Sequence, residues 1–312
     1  MAENRKEAFR TSVGGQALLE GIMMRGPQKI AVAVRKPDQS IEVRVDPVRL
    51  HGWRKIPLVR GVCSMVENLI AGYQYLTYSA EVSMEDDYEE EEPSRFERWL
   101  LARFGDKMMK VLTVVAALGG VALAVLLFTV LPTAIVGLLA RFVPLGGWKT
   151  FLESIIKLGI FVGYMALVAR MKEIHRVFCY HGAEHKTIAC YEAGEELTVE
   201  NIRRHSRFHP RCGTSFLLLV LIISFFVSSL LPWGSALVRV CLKLLTLPVV
   251  VGIAYEIIKL AGRYDNPLTR IISAPGLWLQ RLTTSEPDDG MMEVAIAAVT
   301  PVLPENREDG RW

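Results

Sequence analysis

TSFLLLVLIISFFVSSLL, residues 214–231, runs for 18 residues without a charged side chain and is closed by Pro232. An uncharged apolar run of this length matches a helix crossing a hydrocarbon core. It sets the fold class: mainly α, a polytopic helical membrane protein. A second run, 111–140, holds 30 residues and no charge. As a straight helix it would measure about 45 Å, against a core of roughly 30 Å. Pro132 lies inside it and removes a backbone donor, so 111–131 is read as a span and the following residues as its continuation or a re-entrant piece. Two weaker spans are expected at 152–170, with Glu153 and Lys157, and at 238–258, with Arg239, Lys243 and Glu256. Their charges are expected towards the ends, where long side chains reach the interface.

The rest of the composition agrees with apolar blocks broken by polar ones. Apolar residues make up 51% of the 312, and mean hydropathy is +0.27, yet 22% of residues are charged. The net charge of +3 gives no argument for a nucleic-acid partner. The expected partners are membrane lipids and, second, a membrane protein; the oligomeric state is left open. Cys63, Cys179, Cys190, Cys212 and Cys241 are odd in number and scattered, which is no disulfide framework. The first 110 residues hold no long apolar run, so no signal peptide is expected.

Four spans place both termini on one side. The approach to the first span carries Arg95, Arg98, Arg103, Lys107 and Lys110, and the loop 170–213 carries eight further Lys and Arg residues. The opposite side has Arg141 and Lys149 in one loop, with Arg239 and Lys243 near the other. This bias predicts a multi-pass cell-membrane protein with both termini and the 170–213 loop in the cytoplasm. Reducing cytosol suits unpaired cysteines.

The expected organisation is an N-terminal cytosolic region (1–80), an acidic linker (81–95), a membrane region (96–264) and a cytosolic or interfacial tail (265–312). GGQALLEGIMMRGP (14–27) reads as turn-rich or short helical. IAVAVRKPDQSIEVRV (30–45) reads as a β-hairpin with KPDQS as its turn, giving the N-terminal region α/β character. In 62–76, Val62, Val66, Leu69, Tyr73 and Leu76 recur at helical spacing and predict a core or interface helix. EDDYEEEE (85–92) is a solvated linker, and LWLQRL near Trp278 suits an interfacial helix.

Chemistry concentrates in the 170–213 loop, where five of the six histidines lie. HGAEH (181–185) puts His181 and His185 one helical turn apart, with Glu184 beside the second. The pattern H-x-x-E-H is the inverted zinc-protease motif, and its spacing suits two imidazoles on one Zn²⁺-like ion. HSRFHPRC supplies His205, His209 and Cys212. His209 is the preferred third ligand, with Cys212 and Glu192 as alternatives. Glu192 is seven residues beyond His185, about 10.5 Å along a helix, and could reach the ion only if the helix broke. Glu184 is the candidate general base, because a carboxylate beside an ion can take a proton from water. Glu256 could be a fourth ligand or brace a histidine; a partner in Lys259 or Arg263 is the simpler expectation. His51 is expected at the surface. Gly182 weakens a helix by roughly 1 kcal/mol relative to Ala.

GGQALLEGIMMRGP, YHGAEHKTIACYEAGEELT (180–198), HPRCGTSF (209–216) and DNPLTRIISAPGLWLQRLTTSEPDD (265–289) together resemble the YqhQ-like family of bacterial membrane proteins. That family is described as uncharacterised or as predicted metal-dependent enzymes. The resemblance covers nearly the whole chain. It implies a polytopic membrane protein with polar motifs at His181, Glu184, His185, Glu192, His209 and Cys212, and with Gln16, Glu20 and Arg25 in an N-terminal motif. The expected function is a metal-dependent membrane hydrolase acting on a lipid or membrane peptide at the cytosolic interface, with a divalent metal, zinc by donor type, as cofactor. The alternative is a non-catalytic scaffold for membrane-protein or envelope biogenesis, braced by a structural metal or a polar network. A transporter is a weaker third reading, prompted by Pro132 and Pro248 inside spans.

Overall fold

The computed structural model describes residues 9–48, 56–84, 108–264 and 266–311. The acidic run 85–92, the basic approach at 95–107 and His51 lie outside the described residues. In chain order the strands are β1 (Gly14–Leu18), β2 (Gly21–Arg25), β3 (Lys29–Arg35) and β4 (Ile41–Pro47). Helices follow as α1 (Val59–Ser83), α2 (Met108–Val125), α3 (Leu131–Phe142), α4 (Lys149–Val168), α5 (Lys172–Ala193), α6 (Val199–Arg204), α7 (Gly213–Ser229), α8 (Ala236–Arg263), α9 (Pro267–Thr283) and α10 (Asp289–Val299). The described residues fall into two compact units. One draws on the chain up to 85, 165–223 and from 248 onwards; the other on 86–164 and 224–247.

The first unit is built on an antiparallel sheet in the order β1-β2-β3-β4. The KPDQS hairpin forms as β3 and β4, with Arg35 opposite Ile41. Its turn is held by the Asp38 carboxylate, which accepts from the Ser40 N–H at 2.9 Å and its hydroxyl at 2.6 Å. GGQALLEGIMMRGP is neither turn-rich nor helical: it is the β1–β2 hairpin, with Leu18 opposite Gly21. The turn places Glu20 at φ 49, which a non-glycine residue adopts only against steric resistance. Period-two alternation, obscured by glycine in the sequence, is plain on the sheet. Ile22, Met24, Ala31 and Ala33 face one core with Tyr180 and Ala183 of α5 and Met292 and Ala295 of α10. Met23, Val32 and Val34 face the other with Tyr75 and Val82 of α1. The sheet is therefore sandwiched between α1 and the α5/α10 layer, and the alanines leave room for helices to approach.

The stretch 265–312 carries α9, opened by an Asn266–Thr269 capping box and containing LWLQRL, and α10, capped by Asp288. α10 supplies core of the first unit. One expectation changes. In α1 the periodic residues Val66, Leu69, Tyr73 and Leu76 point outwards, whereas Gly72, Tyr75, Ser79 and Val82 are buried. The sheet selects the helix face bearing small residues and one aromatic, leaving the aliphatic stripe free.

Among the described residues, three stretches are long and apolar enough to cross a membrane: Val114–Phe142, Gly146–Val168 and Ala236–Gly262. The run at 214–231 forms α7, which at 17 residues is the shorter apolar helix, about 26 Å long. It ends at Ser229, three residues before Pro232, because a residue before proline is pushed out of helical geometry. Pro132 does not end its helix. A single π turn, Leu126–Val130, precedes it, and this wider turn takes up the missing donor and the ring's bulk.

Within the second unit the charges of the weaker spans do not lie outwards. Glu153 and Arg239 are buried. Arg239 donates to Glu153 Oε2 at 3.0 Å and to the Ser228 carbonyl at 3.4 Å, and stacks over Trp233. Lys243 and Thr133 both donate to Glu153 Oε1. A carboxylate among apolar helices is tolerated only with such partners. Glu256, considered for the metal, instead accepts from Arg60 at 2.7 Å and from the Leu58 N–H at 3.2 Å.

Candidate metal centre

α5 runs unbroken from Lys172 to Ala193 and stops at Gly194, whose φ of 76 supplies the left-handed cap. HGAEH sits at its middle, packed on the sheet rather than in a loop. Gly182 is needed there for a steric reason: a Cβ would overlap the Ser285 carbonyl oxygen. That close approach accompanies a bond from the Ser285 N–H to the Phe178 carbonyl at 2.9 Å.

His181 and His185 present ring centroids 4.4 Å apart. Cys212, just before α7, brings its sulfur 3.2 Å from His181 Nε2. One nitrogen of each histidine and the Cys212 sulfur all lie within 4.8 Å of one another. The outer nitrogens are fixed by main chain: His181 Nδ1 lies 2.8 Å from the Thr283 carbonyl and His185 Nδ1 2.6 Å from the Arg207 carbonyl. A carbonyl can only accept, so both Nδ1 atoms carry the proton and both Nε2 atoms are available as ligands. Backbone carbonyls in this role are characteristic of metal-bound histidines.

The charges of the group pair with one another: a proton on His181 Nε2 faces the Cys212 sulfur, and an ion held there would take that proton's place. Burial opposes a charged His181, but the Cys212 sulfur and the Glu184 carboxylate push its pKa up to about 9. Burial opposes a Cys212 thiolate, but His181 and His185 hold the thiol well below its ordinary range. The thiolate is the ligand form of cysteine.

Glu184 is 4% exposed. Its Oε1 accepts from the Gly15 N–H of β1 at 2.9 Å, while Oε2 is buried with no hydrogen-bond partner among the described residues. Burial, only partly offset by His185 and His181, raises its pKa. Gly15 is required for the approach, since a Cβ would crowd the Met23 carbonyl and lie 3.2 Å from the Glu184 carboxyl carbon.

Of the proposed third ligands, the structure groups Cys212 with the two histidines. The His209 ring centroid is 5.6 Å from that of His185, but its Nε2 faces Glu192 at 3.5 Å and Arg211 at 3.4 Å. Burial lowers its pKa despite Glu192. Glu192 is occupied by Arg211 and by the Thr11 N–H at 2.7 Å. Burial works against its charge, but His209 and Arg211 keep its pKa below the usual carboxylate value. Since α5 does not break, the rise along the helix separates Glu192 from the His181/His185 pair, as the spacing predicts.

The carbonyls of Thr283 and Arg207 and the N–H of Gly15 had no signal in the sequence, because main-chain groups are carried by every residue. A second group also escaped notice. Cys190, Glu195 and His205 bring one donor atom each within 4.8 Å, around the C-terminal end of α5. His205 Nε2 lies 3.2 Å from Glu195.

This sheet, flanked by helices that carry a His/Cys cluster on α5, together with apolar helices of spanning length, defines the class of protein. The chain belongs to the family described as "Protein of unknown function (DUF1385)", whose model matches residues 56–305. That match takes in the whole His/Cys cluster and begins after the sheet. The chain is 36% identical over 303 residues to "Uncharacterized protein YqhQ" of Bacillus subtilis (strain 168), covering 96% of this chain and 94% of that one. No solved structure matches. Neither description carries an activity, so a functional reading rests on the geometry.

Proposed function

We propose that this is a multi-pass membrane protein with a divalent metal centre on His181, His185 and Cys212, acting as a hydrolase on a lipid or membrane peptide at the cytosolic face. The observation that carries the reading is the pair of Nδ1–carbonyl bonds, which turn two Nε2 lone pairs towards one sulfur. Imidazole and thiolate donors suit zinc. The unpartnered Oε2 of Glu184 fits a ligand-bearing site, since a buried acceptor left unpaired is costly. A zinc-like ion there would supply Lewis acidity, polarising a carbonyl and acidifying water. Glu184 is the proton acceptor: the Gly15 N–H holds Oε1 and leaves Oε2 to take a proton. His209 remains a candidate ligand should metal binding draw the 205–212 segment closer; Glu192, fixed on α5, does not move with that segment. The three spanning-length helices among the described residues support the membrane location; with the shorter α7 as a fourth crossing, the Lys/Arg bias puts both termini and the α5 region in the cytoplasm.

Burial favours a second reading. His185, Glu184 and Cys212 are buried and His181 is half-buried, and the group ties together α5, β1, Arg207 and the end of α9. A metal there could brace a membrane-protein or envelope assembly platform without catalysis. The deciding experiment begins with metal content, by mass spectrometry, of the purified chain and of a His181→Ala/His185→Ala variant. About one ion per chain, lost in the variant, is expected. Glu184→Gln is then tested by lipid and peptide mass spectrometry on cells carrying it. A hydrolase keeps the metal and accumulates uncleaved substrate; a brace keeps both the metal and the wild-type profile. Metal-free protein after zinc reconstitution would sink both metal readings.

A further inference from the structure

We infer that α1 is an interfacial membrane helix whose outward stripe lies among lipid acyl chains. This rests on the membrane reading above and adds a surface to it. Val59, Val66, Leu69, Ile70, Tyr73 and Leu76 are 40–65% exposed. By 100° per residue they share one sector, roughly 140° round the axis from the sheet-packed face of Gly72, Tyr75, Ser79 and Val82. Glu67, Gln74 and Glu81 define a third, polar sector. Six large apolar side chains in one row differ from solitary exposed hydrophobics, which need no explanation. An apolar sector beside a polar one, with a tyrosine in it, is the pattern of a helix lying in the headgroup region.

The occupant is set by what α1 is fastened to. Its first turn is locked onto α8 within the stretch Ala236–Gly262, one of the three of spanning length. A Cβ on Gly61 would overlap Tyr255, and one on Gly252 would lie 3.0 Å from the Leu58 carbonyl oxygen. Arg60 and the Leu58 N–H both bond Glu256. Around this lock, α8 shows half-exposed Val249 and Leu260. The stripe therefore continues the apolar surface of a span, and whatever solvates that span solvates the start of α1. At its middle α1 meets the sheet: Gly72 packs against the Gln16 side chain of β1, the strand whose Gly15 N–H holds Glu184. The strand that fixes the candidate base is thus mounted on a helix resting in lipid.

The test uses the full chain in vesicles of phosphatidylglycerol and phosphatidylethanolamine. A genetically encoded nitroxide side chain, which leaves the cysteines alone, is placed at Leu69, at Gln74, or at Leu118 of α2 as a span control. Collisional access to oxygen, which concentrates in the bilayer, is compared with access to a water-soluble nickel chelate. The inference expects Leu69 to be oxygen-dominated like Leu118 and Gln74 to be nickel-dominated. Nickel-dominated access at Leu69 with an oxygen-dominated Leu118 overturns the inference and leaves the membrane reading standing. Nickel-dominated access at both overturns the membrane reading and the inference with it. Shielding of Leu69 from both agents means that protein covers the stripe, which also overturns it.

Discussion

Glu153 and Glu184 are both nearly sealed from solvent, at 1% and 4% exposure, yet they are held in opposite ways. Glu153, among the apolar helices, has both oxygens saturated: Lys243 and Thr133 on one, Arg239 on the other. Glu184, beside the His/Cys group, has one oxygen on a main-chain N–H and the other without a partner among the described residues. A fully partnered buried carboxylate is a brace. One with a spare oxygen is a cost to the fold that makes sense when something else uses that oxygen.

The comparison breaks first, if at all, at Glu153. Glu153→Ala leaves Arg239 and Lys243 buried without a carboxylate, and the expected loss is about 3–5 kcal/mol, read as thermal unfolding of the detergent-solubilised protein. A loss below about 1 kcal/mol would mean that the network contributes no brace and that the two carboxylates are alike. The next effect is metal removal. If free zinc normally stands at about a hundred times its Kd, chelation should lower stability by about 2.7 kcal/mol. Cys212→Ser should abolish that chelator sensitivity and Glu192→Gln should keep it. Sensitivity that survives Cys212→Ser would move the centre elsewhere, with Cys190, Glu195 and His205 the next group to remove.

A smaller effect is expected at Gly182. Alanine gains about 1 kcal/mol of helix propensity there. Its Cβ, however, meets a main-chain carbonyl at Ser285 that cannot rotate away. Overpacking of this kind costs about 1–3 kcal/mol, so Gly182→Ala should be neutral to destabilising by circular dichroism melting. It should also disturb metal content, because Thr283, two residues from Ser285, orients His181. A variant more stable than the parent would show that the α5–Ser285 contact is loose.

Some of this was legible in the chain and some was not, for identifiable reasons. The β3–β4 hairpin could be read because β-branched residues alternate around a turn with Asp38 and Ser40. β1 and β2 could not, because Gly14, Gly15 and Gly21 hide the alternation and the turn residue is Glu20 rather than glycine. α10 was not singled out because Met291–Val299 is short and apolar apart from Glu293, too brief a run to show a helical period. The pairing of His181 with His185 was legible because side chains one turn apart lie on one helix face. Which of His209 and Cys212 sits beside that pair was not, since it depends on how the 205–212 segment returns. Gln280 settles that: it accepts from the His209 N–H at 2.8 Å and donates to the His209 carbonyl at 2.7 Å. Held there, the imidazole meets Glu192 while Cys212 reaches His181. No pattern local to either segment encodes a clamp 71 positions away.

The smallest expected effect is the sharpest test of the contrast. Glu184→Gln keeps an oxygen that can accept from the Gly15 N–H and replaces an ionisable carboxyl whose second oxygen has no partner among the described residues. The new amide adds donors, which the freed space must accommodate. These effects oppose each other, and the melting temperature of the metal-free protein should change by an amount worth less than about 1 kcal/mol. Glu153→Gln, the same chemical change, deprives two buried cations of their counter-charge and should cost several times more. Parallel melts of the two variants therefore separate a carboxylate kept for the fold from one kept for a ligand. Equal losses would mean that Glu184 has a structural partner in solution, and the base assigned to it would have to be sought elsewhere.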